Sequence, residues 1–248
     1  MEIQNHDFDS CFPKVKYWRE NVLYQFQGFW FNPKHLQATK QELDHFKPLP
    51  NDVILASFPK TGTTWLKALL YSVINRPSSI NQLVTNHSHE LVPSLEMQVY
   101  GRPVANSPPG HFPSNTSSST RILSTHIPYQ ILGETLNSSD CRKESLERPE
   151  KFFFITYEEL KSNPITHVKR LAEFLGCPFV GEDMEKQVEV VVRSCSIETL
   201  KNHEVNKSSD VPSWSMVPYD AFFRKGQLAA TTPISSLFEA SLLVWRLT

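Results

Sequence analysis

The stretch that most constrains the fold of this chain covers residues 52–74. Residues 53–56 form a short apolar run, which is typical of a strand buried on both faces. Residues 57–63 form a turn rich in Pro, Thr and Gly, and from Thr64 the chain is apolar nearly all round, as in a buried helix. The sequence therefore predicts a strand, a tight loop and a helix in immediate succession.

This arrangement predicts an anion site at the start of the helix. The first backbone N–H groups of a helix lack intrahelical partners, and the helix dipole is positive there. Gly62 allows a close approach of the backbone, Thr61, Thr63 and Thr64 add hydroxyl groups, and Lys60 adds a mobile positive charge. The usual phosphate-loop pattern G-x-x-x-x-G-K-[ST] is absent, because the lysine precedes the glycine. An ordinary Pro/Gly turn before a core helix is the alternative.

The composition excludes several classes of partner. A chain of 248 residues is long enough for one domain, or at most two, with a sizeable core. The net charge of −1 gives no electrostatic reason to expect nucleic acid or an anionic membrane as a partner. An anionic ligand must therefore be bound by a local site.

The cysteines and the apolar runs indicate the compartment. Cys11, Cys141, Cys177 and Cys195 are far apart and form no C-x-x-C pair, which argues against a zinc site and against a disulfide framework. The N-terminus is polar and acidic, unlike a signal peptide, and no run of about 18 apolar residues predicts a membrane span. We expect a cytoplasmic protein that needs no metal.

Two further segments carry candidate functional residues. An aromatic cluster covers residues 24–31, and it predicts either a core patch or an apolar wall for a flat acceptor. Ile122 and Leu123 predict a short strand that Pro128 ends, which places His126 where an α/β sheet binds its ligands.

The second half of the chain predicts another strand and two helices. Residues 152–155 form an apolar strand run. Asn163 is a candidate N-cap, Pro164 fits the first helical position, and Gly176 fits the end of that helix. A second helix is predicted over residues 182–194.

Five segments together resemble the cytosolic sulfotransferases, and the plant branch of that family is the most similar. These segments are P-K-T-G-T-T-W at 59–65, H-E-L-V-P-S-L-E at 89–96, T-H-I-P at 125–128, Y-E-E-L at 157–160 and F-F-R-K-G at 222–226. The resemblance implies a single-domain α/β fold with a P-loop-like parallel sheet flanked by helices. It also implies transfer of a sulfonate group from 3′-phosphoadenosine 5′-phosphosulfate to a hydroxyl of a small phenolic, flavonoid or steroid-type acceptor.

The resemblance assigns a role to each matching residue. His126 is the expected general base, a task for which imidazole is suited near neutral pH, and Lys60 the group that compensates charge on the leaving phosphate oxygen. Residues 61–64 are expected to hold the 5′-phosphate. Trp65 and Tyr157 are expected to contact the adenine. The 3′-phosphate is expected to be bound by Arg224, Lys225 and Gly226, whose guanidinium, ammonium and backbone N–H groups suit phosphate oxygens.

The resemblance breaks at two places. Arg142 and Lys143 join two segments that lie several tens of residues apart in the family, so the R-N-P-K-D-x-x-x-S stretch is missing with its half of the 3′-phosphate site. After Gly226 the family's G-D-W-K-N is absent. We therefore expect a flexible N-terminus at 1–20, a sulfotransferase domain at 21–226 interrupted near 142–143, and a divergent tail at 227–248. The domain should lack one central segment, bind the 3′-phosphate poorly and be less stable than full-length relatives.

Two other functions compete with this interpretation. A degenerate, non-catalytic binder of adenosine phosphates would explain the missing segment. A nucleotide kinase with an unusual phosphate loop is the third possibility, but the order of Lys and Gly and the absence of a recognisable Mg²⁺-binding Asp argue against it.

Overall fold

The computed structural model describes residues 11–17, 21–76, 78–101, 120–128, 130–132, 146–223 and 241–246. Seven strands are found in these ranges: β1 (Lys14–Tyr17), β2 (Asn21–Phe26), β3 (Phe29–Phe31), β4 (Val53–Ser57), β5 (Ile122–Thr125), β6 (Phe152–Thr156) and β7 (Ser241–Arg246). The helices are α1 (Pro33–His45), α2 (Thr63–Ile74), α3 (Ser79–Thr85), α4 (Ser88–Leu91), α5 (Tyr157–Ser162), α6 (Pro164–Phe174), α7 (Met184–Ser194), α8 (Ile197–Asn202) and α9 (Glu204–Lys207). A π-helical turn covers Leu95–Val99, and a 3₁₀ turn covers Tyr219–Phe222.

The central sheet has the strand order β5-β4-β7-β6. β4 and β5 are parallel, and β7 is antiparallel to both β4 and β6, so β4, β5 and β6 all run in the same direction. The predicted parallel α/β sheet is confirmed for these three strands. The sequence did not predict the fourth strand, which makes the sheet mixed.

Side chains of β4 supply both faces of the core. Val53 and Leu55 belong to the cluster shared with α2, α6 and α7, whereas Ile54 and Ala56 belong to the cluster on the opposite face of the sheet. This alternation follows from the two-residue period of a strand and requires a strand that is apolar throughout. The predicted burial of β4 on both faces is confirmed.

The helices begin where the sequence places their caps. The Asn163 side chain accepts a hydrogen bond from the Thr166 N–H, Pro164 occupies the first turn of α6, and Gly176 follows with a φ of +72°. At α5, Thr156 and Glu159 form a reciprocal capping box. The predicted helices over 164–175 and 182–194 are therefore confirmed to within two residues.

The N-terminal part of the chain forms a second, antiparallel sheet with the order β1-β2-β3. β1 lies inside the segment 1–20, for which we expected flexibility, and its four residues are exposed. Tyr24 of β2 is buried against Leu36 of α1, while Trp30 of β3 remains 46% exposed. The aromatic cluster thus serves the core at Tyr24, whereas Trp30 still has a face open to solvent.

Residues 241–246 near the C-terminus form a strand of the central sheet. β7 pairs with β4 on one side and with β6 on the other, and Val244 at its centre is fully buried. β7 therefore supplies backbone hydrogen-bond partners to both β4 and β6, and the central sheet includes residues beyond 226.

Candidate active site

The site is built where β4 and β5 end. Ala56 and Thr125 are neighbours in the parallel register, so the next residues, Ser57 and His126, lie side by side at the same edge of the sheet. Open α/β sheets bind ligands at this carboxyl edge. The structure therefore brings the two candidate segments together, the loop after β4 and the T-H-I-P segment after β5.

Hydrogen bonds fix His126 on both its backbone and its ring. The ring Nδ1 lies 2.7 Å from the backbone oxygen of Ser57, and the backbone N–H donates to Glu96 Oε1 at 2.9 Å. A carbonyl oxygen can only accept, so Nδ1 carries the proton and a neutral ring has its free lone pair on Nε2. His126 is partly exposed, and the chemistry of this arrangement is that of a proton acceptor held in one tautomer.

The loop after β4 turns back on itself through left-handed backbone. Lys60 has a φ of +71° and Gly62, the N-cap of α2, has a φ of +98°. The Thr61 hydroxyl donates to the Phe58 carbonyl at 2.7 Å, and the Thr63 hydroxyl lies 2.8 Å from that of Ser57. No side chain of the N-cap residue satisfies the first N–H groups of α2. The start of this 12-residue helix is therefore suited to an anion.

Two aromatic rings close one side of the loop. The Tyr157 ring packs against Gly62 so closely that a Cβ there would lie 2.7 Å from its Cδ2 atom. Trp65 meets Tyr157 edge to face, with ring centroids 5.7 Å apart. The buried Nε1 of Trp65 has no hydrogen-bond partner among the described residues. Trp65 and Tyr157, the two residues expected to contact the adenine, thus lie together beside the loop.

A second aromatic group lies on the other side of the loop. Lys60 Nζ lies 5.9 Å from the centroid of the Phe222 ring. The same ring approaches His89 to 4.5 Å, and His89 stacks on Trp214 at 5.7 Å with planes 10° apart. The 3₁₀ turn that ends at Phe222 therefore faces the loop.

Three hydrogen-bonded polar side chains lie along the first turns of α2. Lys67 Nζ is 3.0 Å from Nδ1 of His89, and Nε2 of His89 is 3.1 Å from the Thr64 hydroxyl. Lys67 is 1% and His89 3% exposed. Burial lowers the pKa of Lys67 to about 7 despite the nearby Glu96 carboxylate. Burial and the positive charge of Lys67 hold the pKa of His89 well below its usual range, so this imidazole is neutral.

Two carboxylates, Glu42 and Glu96, are buried near each other, and Glu96 contacts His126. Burial, and then the charge of Glu96, raise the pKa of Glu42 well above its usual range. Both oxygens of Glu42 and Oε2 of Glu96 lack a hydrogen-bond partner among the described residues. Glu96 belongs to the π-helical turn, and such turns are frequent at functional sites. The backbone bond from His126 ties this turn to the end of β5.

Some predicted site residues lie outside the described part of the chain. These are Arg224, Lys225 and Gly226, and the junction of Arg142 and Lys143. Phe222 and Phe223, which directly precede them, lie beside Lys60 and against His87 respectively. The 3′-phosphate assignment therefore stays a prediction.

Sequence reasoning missed four residues of the site. Ser57 contributes through its backbone oxygen, which no side-chain pattern reveals. His89 and Glu96 lie in the H-E-L-V-P-S-L-E segment, which contributed to the family resemblance but received no functional role. Lys67 carried a signal that could have been used, because a single lysine inside a helix that is apolar nearly all round must be buried with a partner.

The sulfotransferase-domain family model matches this chain over residues 50–143 and 142–230. The chain belongs to the sulfotransferase family. Cytosolic sulfotransferase 15 of Arabidopsis thaliana is 35% identical over 283 aligned positions, which cover 88% of this chain and 76% of that protein. A flavonol sulfotransferase-like protein of Flaveria bidentis is 33% identical and covers 83% of each chain. The plant branch predicted from the motifs is confirmed.

The sulfotransferase match also contains the interruption. Its two pieces meet at residues 142–143, where the sequence resemblance breaks. Since 88% of 248 residues is about 218, some 65 of the 283 aligned positions have no counterpart in this chain. This sulfotransferase is therefore shorter than its relative by an internal segment.

Solved sulfotransferase structures share the fold. A putative steroid sulphotransferase of Arabidopsis thaliana aligns with a TM-score of 0.63 at 29% identity, covering 78% of this chain and 84% of that one. A retinol dehydratase in complex with androsterone and the inactive cofactor PAP aligns with a TM-score of 0.58 at 13% identity, covering 92% and 88%. The predicted α/β sulfotransferase fold is confirmed.

Two features are absent from the described ranges. No helix there is both long and apolar enough to cross a membrane. No group of three or more His, Cys, Asp or Glu side chains within the same ranges could hold a metal ion.

Proposed function

We propose that this chain transfers a sulfonate group from 3′-phosphoadenosine 5′-phosphosulfate to a hydroxyl of a small acceptor. The observation that carries the proposal is the bond from His126 Nδ1 to the Ser57 oxygen. It leaves Nε2 as the proton acceptor of a neutral ring, and it ties this base to the strand that leads into the phosphate loop. A base and an anion site joined in this way suit group transfer to a hydroxyl.

The residues present fit the 5′ end of the donor. The uncapped start of α2, the left-handed Lys60 and Gly62, and the hydroxyl groups of the loop suit a phosphate. The orphaned indole N–H of Trp65, edge-on to Tyr157, suits an acceptor atom on a planar base. When bound, the donor supplies the sulfonate group, with a phosphate oxygen as its leaving atom.

The chain's own groups then have separate tasks. Lys60 compensates the negative charge that develops on the leaving oxygen. Nε2 of His126 takes the proton of the acceptor hydroxyl, while the Ser57 oxygen stabilises the resulting imidazolium through Nδ1–H. Glu96 keeps the backbone of His126 in place. Positioning and electrostatics thus account for catalysis, as in phosphoryl transfer.

The acceptor belongs to the phenolic, flavonoid or steroid class. The names of two similar proteins, flavonol sulfotransferase-like and putative steroid sulphotransferase, support this class. Phe26, Phe29 and Phe31 offer partly buried rings near the core cluster that contains Ile127, directly after His126. Apolar, aromatic walls suit flat acceptors. We infer a cytoplasmic setting from the names of the cytosolic relatives.

A binder without turnover is the second candidate function. The lack of a counterpart for some 65 aligned positions favours it, because the missing stretch carries half of the expected 3′-phosphate site. Each lost charge-assisted hydrogen bond of about 1.5–3 kcal/mol would weaken binding roughly 10- to 100-fold. Donor binding would then survive at the 5′ end, and catalysis would be weak or absent.

Calorimetry with adenosine 3′,5′-bisphosphate and with adenosine 5′-monophosphate tests the proposal, combined with a transfer assay on a phenolic acceptor with labelled donor. We expect both nucleotides to bind, with less than the roughly 100-fold preference for the 3′-phosphorylated form that two intact contacts would give. Slow transfer that depends on His126 supports the proposed sulfotransferase activity. Binding without transfer supports the second candidate, a binder without turnover. If the folded chain bound neither nucleotide, both candidate functions would be refuted.

A further inference from the structure

The side chains of Lys67, His89 and Thr64 are connected by hydrogen bonds that reach from the core to the start of α2. A buried lysine normally neutralises a carboxylate or lines a cavity. Here the one hydrogen-bond partner of Nζ among the described residues is the imidazole of His89, and the other nitrogen of that imidazole contacts a hydroxyl at the start of α2. The polar path therefore runs from a buried amine to the anion site.

The proton positions along this path depend on the charge of Lys67. An ammonium can only donate, so Nδ1 of His89 must accept, and the Nε2–H then donates to the Thr64 oxygen. The Thr64 hydroxyl keeps its own proton for a ligand at the helix start. If Nζ is a neutral amine, Nδ1–H can donate to it, Nε2 accepts, and the Thr64 proton turns toward His89 instead of the ligand.

Fixed geometry makes this coupling direct. Thr64 and Lys67 are three residues apart on α2, so both side chains lie on one face of the helix. α4 packs against that face, and the Ser88 hydroxyl donates to the Thr64 carbonyl at 3.2 Å. His89 also stacks on Trp214, which leaves its ring little freedom to turn. The imidazole can therefore change tautomer without changing place.

We propose that Lys67 is a positioning residue that acts through His89 to aim the Thr64 hydroxyl at the phosphate group bound at the start of α2. The inference rests on the proposed function for the identity of that anion. A bound anion favours the ammonium form of Lys67, so binding takes up a proton at Nζ.

The groups that face this path come from three elements and from the loop. Their charges decide how strongly Lys67 responds to pH. The lowered pKa of Lys67, about 7, places the response near neutrality, and His89 stays neutral throughout that range. The facing titratable groups are Glu96 on the π-helical turn, His87 at the N-cap of α4, His89 on α4, His126 after β5, and Lys60 in the loop.

The test is the pH dependence of adenosine 3′,5′-bisphosphate binding to the full chain, measured by calorimetry from pH 6.5 to 8.5. We expect the parent to lose about 10-fold more affinity over this range than Lys67→Met loses, because protonation of Lys67 is linked to binding. In two buffers of different ionisation enthalpy, the parent should take up more protons than Lys67→Met at pH 7.5. If Lys67 had only a structural role, Lys67→Met would lower the affinity for the nucleotide by the same factor at every pH.

Lys186→Met is the matched control, because this exposed lysine pairs with Asp183 on α7, away from the path. It should keep the parent's pH profile. If Lys67→Met does not fold, Thr64→Val decides, since it keeps Lys67 and His89 but removes the hydroxyl. Thr64→Val should not show the parent's additional loss of affinity between pH 6.5 and 8.5, and Thr64→Ser should show that loss again.

Two results would overturn the inference. One is a loss of affinity with rising pH in folded Lys67→Met that is as large as in the parent. The other is a loss of the same size in Thr64→Val. Either result would leave the proposed function standing, because the nucleotide would still bind. Absence of nucleotide binding by the parent would instead remove the proposed function, and the inference with it.

Discussion

Nδ1 of His126 lies 2.7 Å from the backbone oxygen of Ser57. This bond joins the ends of β5 and β4, and the Ser57 hydroxyl continues to the Thr63 hydroxyl at the start of α2. The candidate base and the candidate phosphate loop are thus connected by hydrogen bonds. Such bonds hold the reacting groups in a fixed relative position, which favours group transfer.

Replacement of His126 by Ala should slow sulfonate transfer by about 100-fold or more and leave nucleotide binding nearly intact, because a general base contributes 10²–10⁴-fold. Initial rates with labelled donor, together with calorimetry, measure both effects. His45→Ala is the control, since His45 is exposed at the end of α1. A variant that transferred at the parental rate would show that another group accepts the proton.

Replacement of Lys60 by Ala should weaken binding of adenosine 3′,5′-bisphosphate about 10-fold or more, because a charged contact to phosphate is lost. Titration calorimetry at low and at physiological salt checks this, and the difference should shrink as salt rises. Lys186→Ala provides an exposed lysine outside the loop. Equal affinities of the parent and Lys60→Ala would remove Lys60 from the anion site.

Replacement of Gly62 by Ala should destabilise the loop for two reasons. An alanine at a φ of +98° costs about 1–2 kcal/mol, and its Cβ would lie 2.7 Å from the Tyr157 ring. Gly181→Ala shares the first cost but not the second, since nothing lies within 4 Å of its Cβ position at a φ of +92°. Urea unfolding should show a larger loss for Gly62→Ala than for Gly181→Ala, and removal of the ring in Tyr157→Ala should cancel the difference. Equal losses would contradict the contact.

Local patterns were enough to predict one part of the site, and long-range pairing decided the rest. Strand, loop and helix at β4 and α2 follow from consecutive residues, and the strand-end rule predicted that His126 would lie at the ligand-binding edge of the sheet. The partner of Lys67 could not be predicted, because His89 comes from a helix 22 residues away and only packing selects it. The position of β7 was still less predictable, since the aligned family motifs end before it.

The buried His87 should make the protein sensitive to acid. Burial and then the charge of Lys67 lower the pKa of His87 to about 3 from an ordinary 6.5. The folded state then binds fewer protons than the unfolded state between these values, so stability should be complete above about pH 6.5 and fall as the pH drops toward 3. The loss from this one group is of the order of a few kcal/mol.

His87→Phe tests this sensitivity. The ring lies among Tyr219, Phe222 and Phe223, so an apolar aromatic side chain suits its place, although the bond from the His89 N–H to Nδ1 is lost. Urea unfolding at pH 7, 6, 5 and 4 should give a shallower decline in His87→Phe than in the parent. His45→Gln should decline like the parent, and a parental slope in His87→Phe would place the acid sensitivity elsewhere.

β7 makes the central sheet of this shortened sulfotransferase continuous from β4 to β6. Its residues pair with Val53–Ser57 on one side and with Phe152–Thr156 on the other. Without β7, two strands of the core would each expose a row of backbone N–H and C=O groups. Residues 241–246 of the divergent C-terminus are therefore part of the central sheet, although they match no family motif.

Replacement of Val244 by Asp should unfold the protein or destabilise it by several kcal/mol, a large fraction of the 5–15 kcal/mol typical of a domain. Val244 is fully buried between Leu55 and Phe153 in the register of the sheet, so its substitute would place an unpaired carboxylate in the core. Val211→Asp makes the same chemical change at a side chain that is 55% exposed, and its cost should stay within about 0.5 kcal/mol. Urea unfolding followed by tryptophan fluorescence compares the two variants with the parent. Similar small losses in both would mean that β7 does not complete the sheet, and that β4 and β6 are covered in another way.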